Sequence, residues 1–380
     1  MPWKVSGLVQ QRYDLVQELL DGQQPASVIC AKYGVSRTCG YKWVGRFLAE
    51  GEAGLADRLR RPHHSPAATA EATCEKVRAL REQYPRWGSR KLHVLLDLGA
   101  DEGPTERTVH RIIKRAGLVR PAPAPPSPGQ RFERGAPNEL WQLDFKSPLW
   151  LCTGGGFERL QPLSVLDDHS RFALGLTALP NQQLGSLWPA LWDIFGAYGL
   201  PDAVLTDNAN GLFRSHRDGV TGFTLRLWRL DIEHHHGRPY HPQTQGKIER
   251  WHRTIKEHVP TRHYDGLPQV QAALDDFRHT YNHVRPHEAL GQRPPRDCYQ
   301  PSARRRPGRL PLIEHPPGAQ LRTVCPKGYI SVRGCRVRVG EGLAGEKVQL
   351  LDEDDNLVIK YGRFAVRTIG WKELRPQQWL

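Results

Sequence analysis

His241 to Lys256 reads HPQTQGKIERWHRTIK, and the fold of this chain is decided there. The stretch opens with turn residues, His-Pro and Gln-Thr-Gln-Gly. It then runs without a breaker from Lys247 to His258, which predicts the start of a helix. Its one early acid, Glu249, stands among Lys247, Arg250, Arg253 and Lys256. Positions 249, 253 and 256 follow i, i+4, i+7 and share a helix face, so a carboxylate lies beside two cations. Alone, such a face is also what a solvated helix with a paired acid presents.

Two further acids give it company. Asp144 lies mid-strand in Trp141-Gln142-Leu143-Asp144-Phe145, where burial is costly unless the charge is paired or binds a metal. Asp207 closes a short buried strand, Ala203 to Thr206, at the strand end where α/β domains place functional groups. Strand centre, strand end and helix are three rigid supports for one oxygen-lined site. Hard oxygen ligands suit Mg2+ or Mn2+, and shared carboxylates suit two such ions, the arrangement used in phosphodiester chemistry. The plainer reading makes Asp144 a satisfied structural acid and Asp207 a helix cap.

Outward from this centre, Leu140 to Leu151, Leu160 to Asp167 and Phe172 to Leu179 are expected strands, with a further short strand at Asp231 to His235. Leu184 to Tyr198 and Gln269 to Tyr281 are expected helices, giving a mixed α/β domain over residues 138–300. Before it, helices over Gln11 to Leu20, Ala26 to Lys32 and Arg37 to Phe47, with a turn at Tyr33-Gly34-Val35, match a helix-turn-helix unit over residues 1–57. Its last helix offers Ser36, Arg37, Thr38, Tyr41 and Lys42 to DNA, although a generic three-helix bundle has the same pattern. Residues 66–118 form a second such unit, whose last helix, Thr105 to Ala116, presents Arg111 and Lys114. A Pro-rich linker follows at 119–137 and a basic one at 301–320. Five short strands after residue 321 predict a small all-β barrel over 321–380.

The bulk composition agrees. Lys plus Arg number 54 against 40 acids, a net charge of +14, which favours a polyanionic partner. No apolar run reaches membrane-spanning or signal-peptide length, so a cytoplasmic protein without a membrane partner is expected. The seven cysteines are scattered and never spaced C-x-x-C, which argues against a disulfide framework or a zinc finger. His234-His235-His236 alternates faces if extended, a poor metal site.

Taken together, Trp141 to Phe145, Asp167-Asp168-His169-Ser170-Arg171, Thr206-Asp207-Asn208, His241 to Arg250, and Tyr281-Asn282 with Arg285-Pro286-His287 resemble the integrase core of DDE transposases and retroviral integrases. The preceding helix-turn-helix units and the following barrel resemble single-reading-frame bacterial insertion-sequence transposases. The resemblance implies a ribonuclease-H-like core and a bacterial, nucleoid-associated enzyme. It implies Asp144, Asp207 and Glu249 as the catalytic, metal-holding triad, with Mg2+ or Mn2+ as cofactor. It further implies 3′-end hydrolysis at the transposon terminal inverted repeats and strand transfer into target DNA, carried out by a homo-oligomer that brings two ends together. Lys247, Arg250, Arg253 and Lys256 would then hold phosphates. The interval between Asp207 and Glu249 exceeds the family's usual one, which places a loop insertion at Phe213 to Phe223. A non-catalytic DNA-binding regulator and a simple nuclease on the same fold are the competing readings; the first calls for loss of a triad acid, the second has no use for paired DNA-reading units.

Overall fold

The computed structural model describes residues 7–58, 68–96, 103–119, 133–153, 156–208, 211–215, 219–237, 246–259, 264 and 266–374. His241 to Gln245, most of the Pro-rich 119–137 linker and residues 216–218 of the expected insertion lie outside these. The chain divides into two compact units, residues 1–70 and 71–380.

In the first unit α1 (Leu8–Asp21), α2 (Ala26–Lys32) and α3 (Arg37–Glu50) enclose Leu15, Val16, Ile29, Trp43 and Leu55. Pro25 precedes α2, and the Ser36 hydroxyl accepts the Cys39 N–H to cap α3. Arg12 donates to the Leu55 carbonyl at 2.7 Å and lies over the Trp43 ring, sealing the last turn against α1.

The second unit opens with α4 (Glu71–Gln83), α5 (Ser89–Leu95) and α6 (Glu106–Arg115), packed around Val77, Trp87, Leu92, Val109, Ile112 and Ile113. This helical group is seated on the domain that follows. Arg90 donates to Glu288 at 2.7 Å, and Val284 packs against its apolar cluster.

The central sheet contains β1 (Leu140–Phe145), β2 (Leu149–Thr153), β3 (Gly156–Asp167), β4 (Ala173–Leu179), β5 (Ala203–Thr206) and β6 (Glu233–His236). The expected strand Leu140 to Leu151 is two strands, because Ser147-Pro148 cannot continue the ladder. The order is β2-β3-β1-β5-β6, with β4 also on β3; β1, β3 and β4 are antiparallel, while β1, β5 and β6 run parallel. This mixed sheet resembles the ribonuclease-H-like arrangement that was expected. One face is covered by α7 (Leu184–Tyr198) and α8 (Gly222–Arg229), whose Leu187, Leu191, Phe195, Phe223 and Leu227 meet Leu143, Leu163 and Val165. The other face is covered by α9 (Gly246–His258) and α10 (Leu267–His279), where Trp251, Ile255, Leu274 and Phe277 meet Leu160, Leu166 and Leu176. Period-two alternation along β1 therefore turns Leu143 toward α7 and Asp144 toward α9.

The C-terminal segment has β7 (Leu321–Thr323), β8 (Tyr329–Val332), β9 (Cys335–Arg338), β10 (Lys347–Glu353), β11 (Asn356–Tyr361) and β12 (Phe364–Gly370). The five expected strands are present, and β7 is additional. They pair as a four-stranded sheet, β12-β11-β10-β7, and a separate β8-β9 hairpin around one core; closure into a barrel is not seen among the described residues. This small domain rests on the segment after Asp207. The Val220 N–H donates to Val339 and the Gly342 N–H to Val220, both at 3.0 Å. The backbones approach so closely that a Cβ on Gly340, at φ +118°, would lie 2.2 Å from the Val220 nitrogen.

Residues 301–320, expected as a linker, begin as a fitted strap. The Leu200 N–H donates to Arg304 at 2.7 Å, and the Arg304 guanidinium donates to the carbonyls of Pro201, Leu230 and Asp231. Arg306 covers the Trp192 ring.

Candidate active site

β1 and β5 are in parallel register, with Gln142 opposite Leu205. Two residues further along come Asp144, near the end of β1, and Asp207, just past the end of β5. α9 crosses this face with Ile248, Trp251 and Ile255 buried and Glu249 in its first turn, exposed. Sheet and helix thus bring the three acids into one neighbourhood. Burial pushes the Asp144 carboxyl up to about 7, and the negative charges of Asp207 and Glu249 add to that shift; the Phe145 N–H, donating to Asp144 at 2.7 Å, opposes it. Among the described residues no group of three or more His, Cys, Asp or Glu side chains is close enough to hold a metal ion. The acids share a field, while Glu249 remains turned to solvent.

Around Asp144 lie two polar side chains that sequence reasoning missed. His252 Nδ1 is 3.7 Å from Asp144, and its Nε2 is 2.9 Å from the hydroxyl of Ser164, the residue directly opposite Asp144 on β3. Burial holds the His252 imidazole down to about 4, so it is neutral above that pH. Lys146, two residues past Asp144 on the same strand face, is buried, and burial and the charge of Lys256 lower its pKa. The available signals were a histidine on the apolar stripe of α9 and the period-two partner of Asp144.

Asp207 is supported from β6. His234 bridges the Thr206 hydroxyl at 2.9 Å and the Thr224 hydroxyl at 2.8 Å, and His236 hydrogen-bonds the Asp207 backbone. His234 and His236 share a face of β6, with ring centroids 4.3 Å apart.

The Asp167 to Arg171 motif is a tied turn. Asp167 accepts from Asn138 N–H, Ser170 N–H and the Ser170 hydroxyl, all within 2.8 Å. Asp168, fully buried, accepts from Gln142 at 2.7 Å and Arg134 N–H at 2.9 Å. Its remaining strong partner is Lys247, 2.7 Å away. Lys247, expected among the DNA-facing cations, therefore turns inward. Arg250, Arg253 and Lys256 are exposed on α9, as are Arg111 and Lys114 on α6 and Arg37, Thr38, Tyr41 and Lys42 on α3. Ser36 is exposed too, but its hydroxyl serves as the helix cap.

An integrase core domain model matches residues 134–242, and a second integrase core domain model matches 230–295. A helix-turn-helix domain model matches 11–63, and a homeodomain-like domain model matches 39–113. The chain is 27% identical over 252 residues to the "Insertion element IS476 uncharacterized 39.2 kDa protein" of Xanthomonas euvesicatoria, covering 64% of this chain and 69% of that one. It is 27% identical over 251 residues to the "Insertion element IS407 uncharacterized 31.7 kDa protein" of Burkholderia multivorans, covering 62% and 84%. Among solved structures it is similar to the catalytic core domain of BIV integrase, with 22% identity, 43% and 93% coverage and a TM-score of 0.33. Another is the simian T-cell lymphotropic virus intasome in complex with PP2A regulatory subunit B56 gamma, with 17% identity, 78% and 96% coverage and a TM-score of 0.35. The family models give this chain helix-turn-helix domains ahead of an integrase core, and over 64% and 62% of its length it is similar to proteins of bacterial insertion elements.

Proposed function

We propose that this protein is an insertion-sequence transposase that binds the terminal inverted repeats of its element and joins their 3′ ends to target DNA, with Asp144, Asp207 and Glu249 as its catalytic carboxylates. The observation that carries the reading is the shared field at Asp144. A buried acid raised to about 7 by burial and by two neighbouring acids is a site that a bound cation would stabilise. Three hard oxygen donors on two strands and a helix fit Mg2+ or Mn2+, and the number of donors fits two ions. Asp144, Asp207 and Glu249 would hold such ions, which would supply activation of the attacking oxygen and charge neutralisation at the leaving one.

The chain's own residues do the rest. The exposed faces of α3 and α6 read the end sequence, with Arg37, Thr38, Tyr41, Lys42, Arg111 and Lys114 as contacts. Arg250, Arg253 and Lys256 hold phosphates beside the acids. Water attacks the end phosphodiester and the 3′ oxygen leaves with a proton as a hydroxyl. That hydroxyl then attacks a target phosphorus, and the target's own 3′ oxygen departs. One bond forms as one breaks in each step, so no serine or tyrosine nucleophile is required. Joining two ends at one target calls for a homo-oligomer. Work on DNA places the protein in the bacterial cytoplasm, at the nucleoid; among the described residues no helix is long and apolar enough to cross a membrane.

The test is a joining assay with inverted-repeat DNA and Mg2+ or Mn2+. Wild type should join the ends to a target, and Asp144→Asn should abolish joining while retaining end binding. Equal joining by the two proteins would refute the assignment.

A further inference from the structure

We propose that Lys247 is a positioning residue for Glu249, tying the first turn of α9 to the β3–β4 turn through Asp168, and that it is not a DNA contact. The proposal rests on the reading of Glu249 as a metal carboxylate. Lys247 Nζ donates to Asp168 Oδ2 at 2.7 Å and to the Asp168 carbonyl at 2.8 Å. The Lys247 side chain is 15% exposed and that of Asp168 is 0% exposed. Asp168 is itself fixed from β1: its N–H donates to Leu140, and its Oδ1 accepts from Gln142, which precedes Asp144 by two residues on the same strand face. Lys247 precedes Glu249 by two residues in the first helical turn. One ion pair therefore links the strand that carries the first acid to the helix turn that carries the third.

The location explains why such a link is useful. The first turn of a helix has N–H groups without intrahelical partners and frays most easily. Its positive dipole end disfavours a lysine, so electrostatics of the helix alone would not keep Lys247 there. A cation withdrawn from water needs a matched acid, and Asp168 in turn would be a buried, uncompensated charge without it. The exposed Arg250, Arg253 and Lys256 carry none of these constraints.

The test uses the full chain with Lys247→Met, which keeps the apolar stem, Asp168→Asn, their double variant, Lys247→Arg and Glu249→Gln. Three quantities are measured: Mn2+ affinity by calorimetry, joining rate, and the salt dependence of end-DNA binding. Lys247→Met and Asp168→Asn should each weaken Mn2+ affinity and joining on the order of 10- to 100-fold, as loss of an outer partner of a metal ligand does. The double variant should be no worse than the worse single one. Lys247→Arg should recover part of the loss, and the salt slope of end binding should stay at the wild-type value. A slope reduced by about 1 with unchanged Mn2+ affinity would make Lys247 a phosphate contact and overturn the proposal. Wild-type Mn2+ affinity in Asp168→Asn, whose carboxylate is fully buried, would overturn it as well and does not depend on Lys247→Met folding. Failure of the underlying reading looks different: Glu249→Gln itself would then bind Mn2+ and join DNA as wild type does.

Discussion

Asp144 and His252 sit 3.7 Å apart and respond to pH in opposite directions. The Asp144 carboxyl is raised from 3.8 to about 7, chiefly by burial. A raised acid favours folding while both states are protonated, below the unfolded value near 4, and the advantage is lost as pH rises through 7. In a chelator, Asp144→Asn should therefore raise Tm at pH 8 and change it little near pH 4; an unchanged Tm at pH 8 would show that the acid is not held in a desolvated field. His252 is lowered from 6.5 to about 4, again by burial. Its contribution is present above pH 6.5 and is lost as pH falls through 4. His252→Ala leaves the fully buried Ser164 hydroxyl without its partner, a loss of about 1–3 kcal/mol of stability at pH 7 measured by denaturant unfolding.

At the scale of elements, α9 divides its work by face. Ile248, Trp251 and Ile255 anchor it to the sheet, His252 faces Asp144 of β1, and Glu249, Arg250, Arg253 and Lys256 are open to solvent. Replacing any one of these last three by Ala should lower the salt slope of end-DNA binding by about 0.9 without altering Tm appreciably; an unchanged slope would remove that residue from the DNA interface. The seat of the C-terminal domain is narrower still. Because a Cβ at Gly340 would meet the Val220 backbone, Gly340→Ala should force the β8–β9 hairpin off its ledge and lower Tm, with earlier proteolytic cleavage around residues 313–345. Helix periodicity in the sequence put Glu249, Arg253 and Lys256 on one face, as observed. It gave no sign that Lys247 turns inward, because its partner Asp168 is a tertiary neighbour 79 residues away. The short α8 was not foreseen, since its Gly222 start lies within the stretch expected as inserted loop.

Across the whole molecule, the layered core and the neighbourhood of the three acids were legible because the motifs lie on strand ends and a helix start, positions that the local sequence specifies. What joins the parts was not legible. The segment 301–320 has the composition of a linker, yet Arg304 reaches three carbonyls from two different connections of the core. Arg304→Ala should cost about 1–3 kcal/mol in unfolding free energy, the range for carbonyls left without donors. The seating of the second helical group on α9 and Glu288 was equally hidden, since it depends on Trp87 and Arg90 meeting residues far along the chain. The central claim is that Asp144, Asp207 and Glu249 form one divalent-metal centre. The most direct measurement is Mn2+ binding by calorimetry to wild type, Asp144→Asn, Asp207→Asn and Glu249→Gln at pH 8. The account expects saturable binding by wild type and a large loss of affinity in each of the three variants; a variant that binds Mn2+ as tightly as wild type would contradict it.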